Sequence, residues 1–172
     1  HLIKALCGNG HQWDMNITYS EEPEPLGTVG PLGSLADQLR STFLVMNGDL
    51  VTDLDLRKFV KFHKKHKGIL TVAVKKKSVK VDLGVLESEE GVVTRFREKP
   101  QIQFNASMGI YCMEPEILQH IPDGLYFGFD DLMHTLLEAG EKIHVFGHEG
   151  LWMDIGRQED FLEAQKILRN DY

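Results

Sequence analysis

Apolar residues along this chain switch repeatedly between strand-like and helix-like spacing. Phe43-Leu44-Val45-Met46 is a continuous apolar run, the pattern of a strand covered on both faces in a parallel sheet. Asp53 or Asp55 then stands where a helix cap belongs. Leu56, Phe59, Val60 and His63 follow on one helical face, with Gly68 closing the helix. Residues 69–74 form the next strand. Strand, helix, strand is a βαβ unit, whose crossover is right-handed.

Around this unit the same signals place further elements. Residues 1–7 read as the tail of a helix stopped by Gly8, and 17–20 as a short strand. A helix over 28–39 is predicted by Leu32, Leu35, Ala36 and Leu39. Residues 83–86 and 92–96 flank Glu89-Glu90-Gly91 and read as a hairpin. Residues 108–112 are a strand, and Pro115 sits at the first position of a short helix through Leu118. Asp130 or Asp131 caps a helix carrying Leu132, Met133, Leu136 and Leu137, ended by Gly140. Residues 143–146 are a strand, and Phe161, Ala164 and Leu168 mark a closing amphipathic helix. Strands alternating with helices predict an α/β class.

Length adds that 172 residues suit one domain, 1–172, with a core that needs no staples. The net charge of -7 argues against nucleic acid as partner, because phosphate-backbone binding needs a basic face. Cys7 and Cys112, the only cysteines, give neither a disulfide framework nor a metal spacing and read as free thiols of a reducing cytoplasm. No apolar run reaches the ~20 residues of a membrane span, and no secretory leader is recognised, so the expectation is a cytoplasmic protein off the membrane.

Candidate chemistry lies where strands end. Asn47-Gly48-Asp49 follows the first buried strand, and ligands of open α/β sheets sit beyond such ends. A carboxylate there, with a glycine beside it, suits magnesium; the same tripeptide also reads as a turn that Asp49 caps. Residues 25–31, Pro-Leu-Gly-Thr-Val-Gly-Pro, are a loop entering a helix. They match neither a Walker loop nor a dinucleotide fingerprint, and an ordinary cap is the rival reading. Phe96-Arg97-Glu98-Lys99-Pro100 sets a carboxylate beside an ammonium, with Pro100 expected to hold Lys99 extended; a solvated surface pair is the plain alternative. Trp152-Met153-Asp154-Ile155-Gly156 supplies a second isolated carboxylate. Two carboxylates from distant points of the chain can hold one magnesium ion for an in-line displacement.

Taken in order, these stretches resemble the sugar-1-phosphate nucleotidyltransferase family. The matching segments also include Tyr19-Ser20-Glu21-Glu22, Leu83-Gly84-Val85-Leu86, Met108-Gly109-Ile110-Tyr111 and Arg157-Gln158-Glu159-Asp160, so the resemblance covers nearly the whole chain. Its wording is similar to the branch with mannose-1-phosphate and heptose-1-phosphate guanylyltransferases, which leans towards guanine. The resemblance implies a Rossmann-like, mostly parallel sheet flanked by helices, of the nucleotide-diphospho-sugar transferase type. It implies Asp49 and Asp154 as magnesium ligands, Lys99 on the sugar phosphate and Glu98 on sugar hydroxyls. Leu26, Gly27 and Gly30 fall in the loop that contacts the nucleobase, and Gly84 and Ser107 where backbone approaches the sugar. The implied reaction joins a nucleoside triphosphate and a sugar 1-phosphate, releasing pyrophosphate; base, sugar and oligomeric state, a homo-oligomer included, stay open.

Two departures from the family pattern matter. Arg157-Gln158 stands where Thr-Pro or Arg-Pro is common. The family's first strand and its glycine-rich Gly-Thr-Arg loop, which grips the triphosphate, have no counterpart among these residues. The expectation is therefore a truncated domain, inactive alone, with a gap beside the 43–46 strand or that gap filled from a neighbouring molecule. A non-catalytic module that binds sugar nucleotides or partner subunits is the alternative. The pairs His63/His66 and His144/His148 are set aside as metal ligands, Lys75-Lys76-Lys77 is read as a solvated strand end, and Asn16 and Asn105 as chance glycosylation triplets.

Overall fold

A computed structural model of the chain describes residues 2–170. In chain order it forms α1 (Leu2–Cys7), α2 (Pro31–Ser34), β1 (Phe43–Met46), β2 (Leu50–Thr52), α3 (Leu56–His66) and β3 (Leu70–Lys80). Then come β4 (Val85–Glu89), β5 (Val92–Arg97), β6 (Gln101–Met113), α4 (Phe129–Glu138), β7 (Ile143–Gly147), β8 (Trp152–Asp154) and α5 (Gln158–Asn170). The chain divides into two compact units: residues up to Arg40 with Leu118–Ala139, and Ser41–Ile117 with residues from Gly140 on.

In the first unit, α1 ends as its sequence predicts. Gly8 adopts φ +53° and its N–H donates to the Lys4 carbonyl at 2.9 Å. His1, part of the expected helix tail, lies outside the described residues. The strand expected over 17–20 does not form; Ile17 N–H instead donates to the Asn9 carbonyl at 2.9 Å and Tyr19 Oη to the Gly8 carbonyl at 2.6 Å. The long helix expected over 28–39 shrinks to α2, with single turns beyond it. Gly33 inside so short a segment supplies little helix propensity, and no long apolar stripe is buried to offset that. Asp131 does hold the start of α4, its Oδ2 accepting from Gly128 N–H at 2.8 Å, and Leu132 and Leu136 are fully buried.

The second unit is built on a four-stranded sheet in the order β1-β6-β3-β7. β3 and β7 pair in parallel, while β6 pairs antiparallel with both β1 and β3. β1, β3 and β7 thus point the same way, as a βαβ unit requires, but β6 is inserted between β1 and β3. That leaves β1 at the sheet edge and only half-buried, against the expectation of a strand covered on both faces. Two further two-stranded pairs, β2-β8 and β4-β5, complete the strands. β4 and β5 form the expected hairpin, turned by Glu90 (φ +48°) and Gly91 (φ +83°). Consecutive positive φ values suit a tight hairpin whose twist matches its strands.

α3 packs on this sheet as its stripe dictates. Asp55 Oδ1 accepts from Lys58 N–H at 3.0 Å at its start, and Phe59 and His63 are its buried residues. The helix is closed by Lys67 at φ +53° rather than by Gly68. Gly68 instead permits close packing, since a Cβ there would meet the Lys142 carbonyl at 2.6 Å. Phe59, Ala73, Met108, Ile110 and Cys112 form the core under α3, each large side chain contributing ~1.5–3 kcal/mol by burial. Among the described residues no helix is long and apolar enough to cross a membrane.

Candidate functional site

The two expected carboxylates converge. Asp49 follows the Asn47-Gly48 turn after β1, and Asp154 ends β8, where the β2–β8 ladder pairs it with Leu50. Ile155 N–H donates to the Asp49 carbonyl at 2.9 Å, and Gly156 N–H donates to Asp154 Oδ1 at 3.0 Å. A Cβ built on Gly156 would stand 3.1 Å from Asp154 Oδ1 and 3.1 Å from Asp49 Oδ2. The two oxygens therefore flank one point, no farther apart than twice that distance. Both residues are exposed, so a hydrated cation can reach the pair from solvent.

Behind the pair, β6 is distorted. Its register with β3 shifts between Val72 and Val74, and Gly109 takes φ +71°. The Gly109 carbonyl accepts from Asn47 N–H at 3.0 Å, and a Cβ at Gly109 would meet Asn47 Nδ2 at 2.8 Å. Trp152 Nε1 donates to the Met108 carbonyl at 2.9 Å. The bulge thus ties the Asn47-Gly48-Asp49 turn and β8 to the same stretch of β6, which fixes the spacing of the two carboxylates. Sequence reasoning identified both carboxylates but not this clamp.

The residues expected to read the sugar are spread along the arm formed by the β3–β6 ladder and the β4–β5 hairpin. Ser107 pairs with Val74 at the bulge, its Oγ 3.4 Å from Tyr111 Oη. Gly84 and Glu98 meet at the far end, where a Cβ on Gly84 would come within 3.3 Å of Glu98 Oε2. Lys99 follows in the tight connection from β5 to β6. It adopts φ +43°, a left-handed conformation and not the extended one expected before proline. The connection has three residues to reverse the chain while the Pro100 carbonyl accepts from Val81 N–H at 3.0 Å, and that demand overrides the proline preference. From Ser107 to Gln101 the ladder runs about 20 Å at strand rise, so Lys99 belongs to the Gly84–Glu98 end of the arm and does not join Asp49 and Asp154 in one cleft, against the expectation that all three converge.

Leu26, Gly27 and Gly30 lie in the first unit. Phe127 N–H donates to the Leu26 carbonyl at 2.9 Å, and Gly30 N–H to the Phe127 carbonyl at 3.0 Å. Gly27 has φ +82°, and a Cβ there would meet the Phe127 carbonyl at 2.7 Å. These glycines are required by close backbone packing against the 125–127 segment.

The lysine run is not merely a solvated end. β3 continues through it to Lys80, and alternation puts Lys75 and Lys77 on one face. Lys75 Nζ donates to the Gly150 carbonyl at 2.5 Å, and Lys77 Nζ stands 5.3 Å from the centroid of the Trp152 ring. Lys77, Trp152, Asp154 and Arg157 line a cavity of about 450 Å³, with Asp160 and Glu163 of α5.

A second polar cluster is buried away from this site. His63 Nδ1 lies 2.7 Å from Thr71 Oγ1 and its Nε2 3.1 Å from Glu114 Oε1, while Thr42 Oγ1 donates to Glu114 at 2.9 Å. Burial pushes the His63 pKa below its ordinary value, against the opposing pull of Glu114. Cys112, buried beside this cluster, is pushed up to about 11 by desolvation and then by Glu114, and is an inert thiol. His63 and His66 point to different partners, His66 Nδ1 to the Phe62 carbonyl at 2.8 Å. Among the described residues no group of three His, Cys, Asp or Glu could hold a metal.

Two carboxylates nonetheless fit magnesium. That ion takes oxygen ligands, keeps several waters, and is held by one or two carboxylates together with substrate phosphates.

The fold is of the open α/β kind, with acidic residues beyond the ends of its strands. Within that class the chain belongs to the nucleotidyl transferase family, whose model matches residues 1–171. A mannose-1-phosphate guanyltransferase of Yarrowia lipolytica is 33% identical over 172 residues, covering 95% of this chain and 47% of its own. The Saccharomyces cerevisiae mannose-1-phosphate guanyltransferase is 30% identical over 177 residues, covering 98% and 49%. The chain thus spans about half the length of these curated relatives. In fold it is similar to crystal structures of HddC from Yersinia pseudotuberculosis. One gives a TM-score of 0.71 at 23% identity over 97% of this chain and 73% of that one. The other, complexed with GMP-PN, gives 0.70 at 22% over the same shares.

Proposed function

We propose that this chain carries the acceptor and metal portion of a sugar-1-phosphate nucleotidyltransferase. The reaction moves a nucleotidyl group from a nucleoside triphosphate to a sugar 1-phosphate and releases pyrophosphate. The observation that carries this reading is the approach of Asp49 and Asp154 to one point beside Gly156. Magnesium bound there would neutralise charge on the phosphate oxygens of an in-line displacement. Asp49 and Asp154 would hold it, and the backbone bonds from Ile155 and Gly156 fix them in place beforehand.

Ser107, at the bulge, contacts the sugar; Glu98 would accept from its hydroxyls and Gly84 leave room for it once the arm that carries them, about 20 Å along the ladder, bends toward the bulge. Lys99 would neutralise the sugar phosphate only with that arm bent toward the carboxylates. Leu26, Gly27 and Gly30 shape the loop against which the base rests. Most of the rate enhancement comes from positioning and charge neutralisation, and no covalent enzyme intermediate is required. GTP and mannose 1-phosphate are the first substrates to try, because the curated relatives are mannose-1-phosphate guanyltransferases. The cytoplasm is the proposed location.

The test is chromatography of reactions containing GTP or another nucleoside triphosphate, a sugar 1-phosphate and magnesium. A nucleotide sugar formed in step with pyrophosphate supports the reading. Ligand binding with no pyrophosphate release under any pairing would favour the non-catalytic module instead.

A further inference from the structure

We propose that Lys77 is a binding residue for the sugar 1-phosphate, and so helps set which acceptor is used. This rests on the nucleotidyl-transfer reading above. Lys77 projects from the middle of the β3–β6 ladder, paired with Phe104, between the carboxylate end and the Glu98–Lys99 end. Its ammonium stands over the Trp152 ring, 5.3 Å from the centroid, at a cavity that Asp154 also lines.

Three features point to a ligand rather than to a structural strut. Trp152 is immobilised by its own hydrogen bond to the Met108 carbonyl, so the indole face is a fixed platform. On β8, alternation puts Trp152 and Asp154 on the same side, so the platform faces the same space as a metal-binding carboxylate. Among the described residues, Lys77 has no carboxylate within ion-pair distance, unlike Lys58, Lys80 and Arg97, which pair with Asp55, Asp82 and Glu87. An exposed ammonium resting on an aromatic face is held weakly enough for an anionic oxygen to draw it away.

The acceptor is the better match than the triphosphate. Lys77 shares its ladder with Ser107, assigned to the sugar, and that ladder leads to the turn that carries Glu98 and Lys99, assigned to the sugar hydroxyls and the sugar phosphate. The indole face offers the flat apolar surface that a sugar ring's C–H groups cover, with an ammonium at its rim for a ring or phosphate oxygen.

The experiment is steady-state kinetics of pyrophosphate release for the wild type, Lys77→Met and Lys77→Arg, using the chain extended upstream. GTP and mannose 1-phosphate are the probes, with circular dichroism as a check on folding. Lys77→Met should raise KM for the sugar 1-phosphate about tenfold or more, with KM for the triphosphate unchanged within about twofold. Lys77→Arg, which keeps the charge, should recover most of the loss; the rise confined to the acceptor KM is what a purely structural role for the side chain would not produce. An active wild type whose Lys77→Met variant keeps its acceptor KM, or loses triphosphate KM instead, overturns the assignment of Lys77 alone. A wild type that releases no pyrophosphate with any substrate pair overturns the nucleotidyl-transfer reading, and this inference with it.

Discussion

His63 shows how one buried polar residue can tune stability without touching the site. It is fully buried between Thr71 and Glu114 and joins α3 to β3 and to the end of β6. Desolvation opposes its protonation and outweighs Glu114, which favours it; His144 and Lys64 add to the opposition. A histidine with a lowered folded-state pKa binds fewer protons folded than unfolded in the interval between the two values. Its contribution is therefore present above about 6.5 and is lost as pH falls below that, toward the folded value. Thermal midpoints measured from pH 8 to pH 5 should fall below about pH 6.5 in the wild type. A His63→Gln variant should start lower and show a shallower fall over the same range. At the functional site the expected effects are kinetic. Asp49→Asn and Asp154→Asn, in the chain extended upstream, should each lower magnesium-dependent turnover at least about a hundredfold, with circular dichroism unchanged because both residues are exposed.

Among the elements, the β6 bulge carries the geometry of the site, and glycine is what permits it. Gly109 sits at φ +71° with Asn47 against the place a Cβ would fill, whereas Gly91, at φ +83° in the β4–β5 turn, has open space there. Both Gly→Ala changes incur the left-handed penalty of about 1–2 kcal/mol. Gly109→Ala must also displace Asn47, so denaturant unfolding should show it as the more destabilised variant, and it alone should lower turnover. Equal losses in both would mean that Asn47 is not clamped as described. This bulge marks the limit of what the sequence discloses. The stripe Leu56, Phe59, Val60, His63 and the cap Asp55 predict α3 because helix signals are local. The turn at Glu90-Gly91 is legible for the same reason. The insertion of β6 between β1 and β3, the extension of β3 through Lys75-Lys76-Lys77, and the left-handed Lys99 all depend on pairing with distant strands, which local patterning does not encode. Asp49 and Asp154 were legible as candidates through their flanking glycines and family wording, whereas Lys77 was hidden in a polar run that resembles a solvated end.

For the molecule as a whole, the telling feature is the free side of β1. Among the described residues of the second unit β1 pairs only with β6, and Leu44, Leu56 and Val60 line an apolar groove of about 550 Å³ with Arg57, Lys61 and Lys64 around it. An edge strand beside an apolar groove invites further pairing. The 172-residue chain should accordingly unfold at lower denaturant than one extended upstream by a strand and a Gly-Thr-Arg loop, and equilibrium urea unfolding of the two would show it.

The central claim is that Asp49 and Asp154 together organise nucleotidyl transfer, and magnesium-dependent pyrophosphate release tests it most directly. The extended chain should release pyrophosphate only when a nucleoside triphosphate, a sugar 1-phosphate and magnesium are all present. Asp49→Asn and Asp154→Asn should each abolish nearly all of that release, and the double variant should lose little more, because the two act on one centre. Turnover unchanged in either single variant, or losses that simply multiply in the double, would contradict the account.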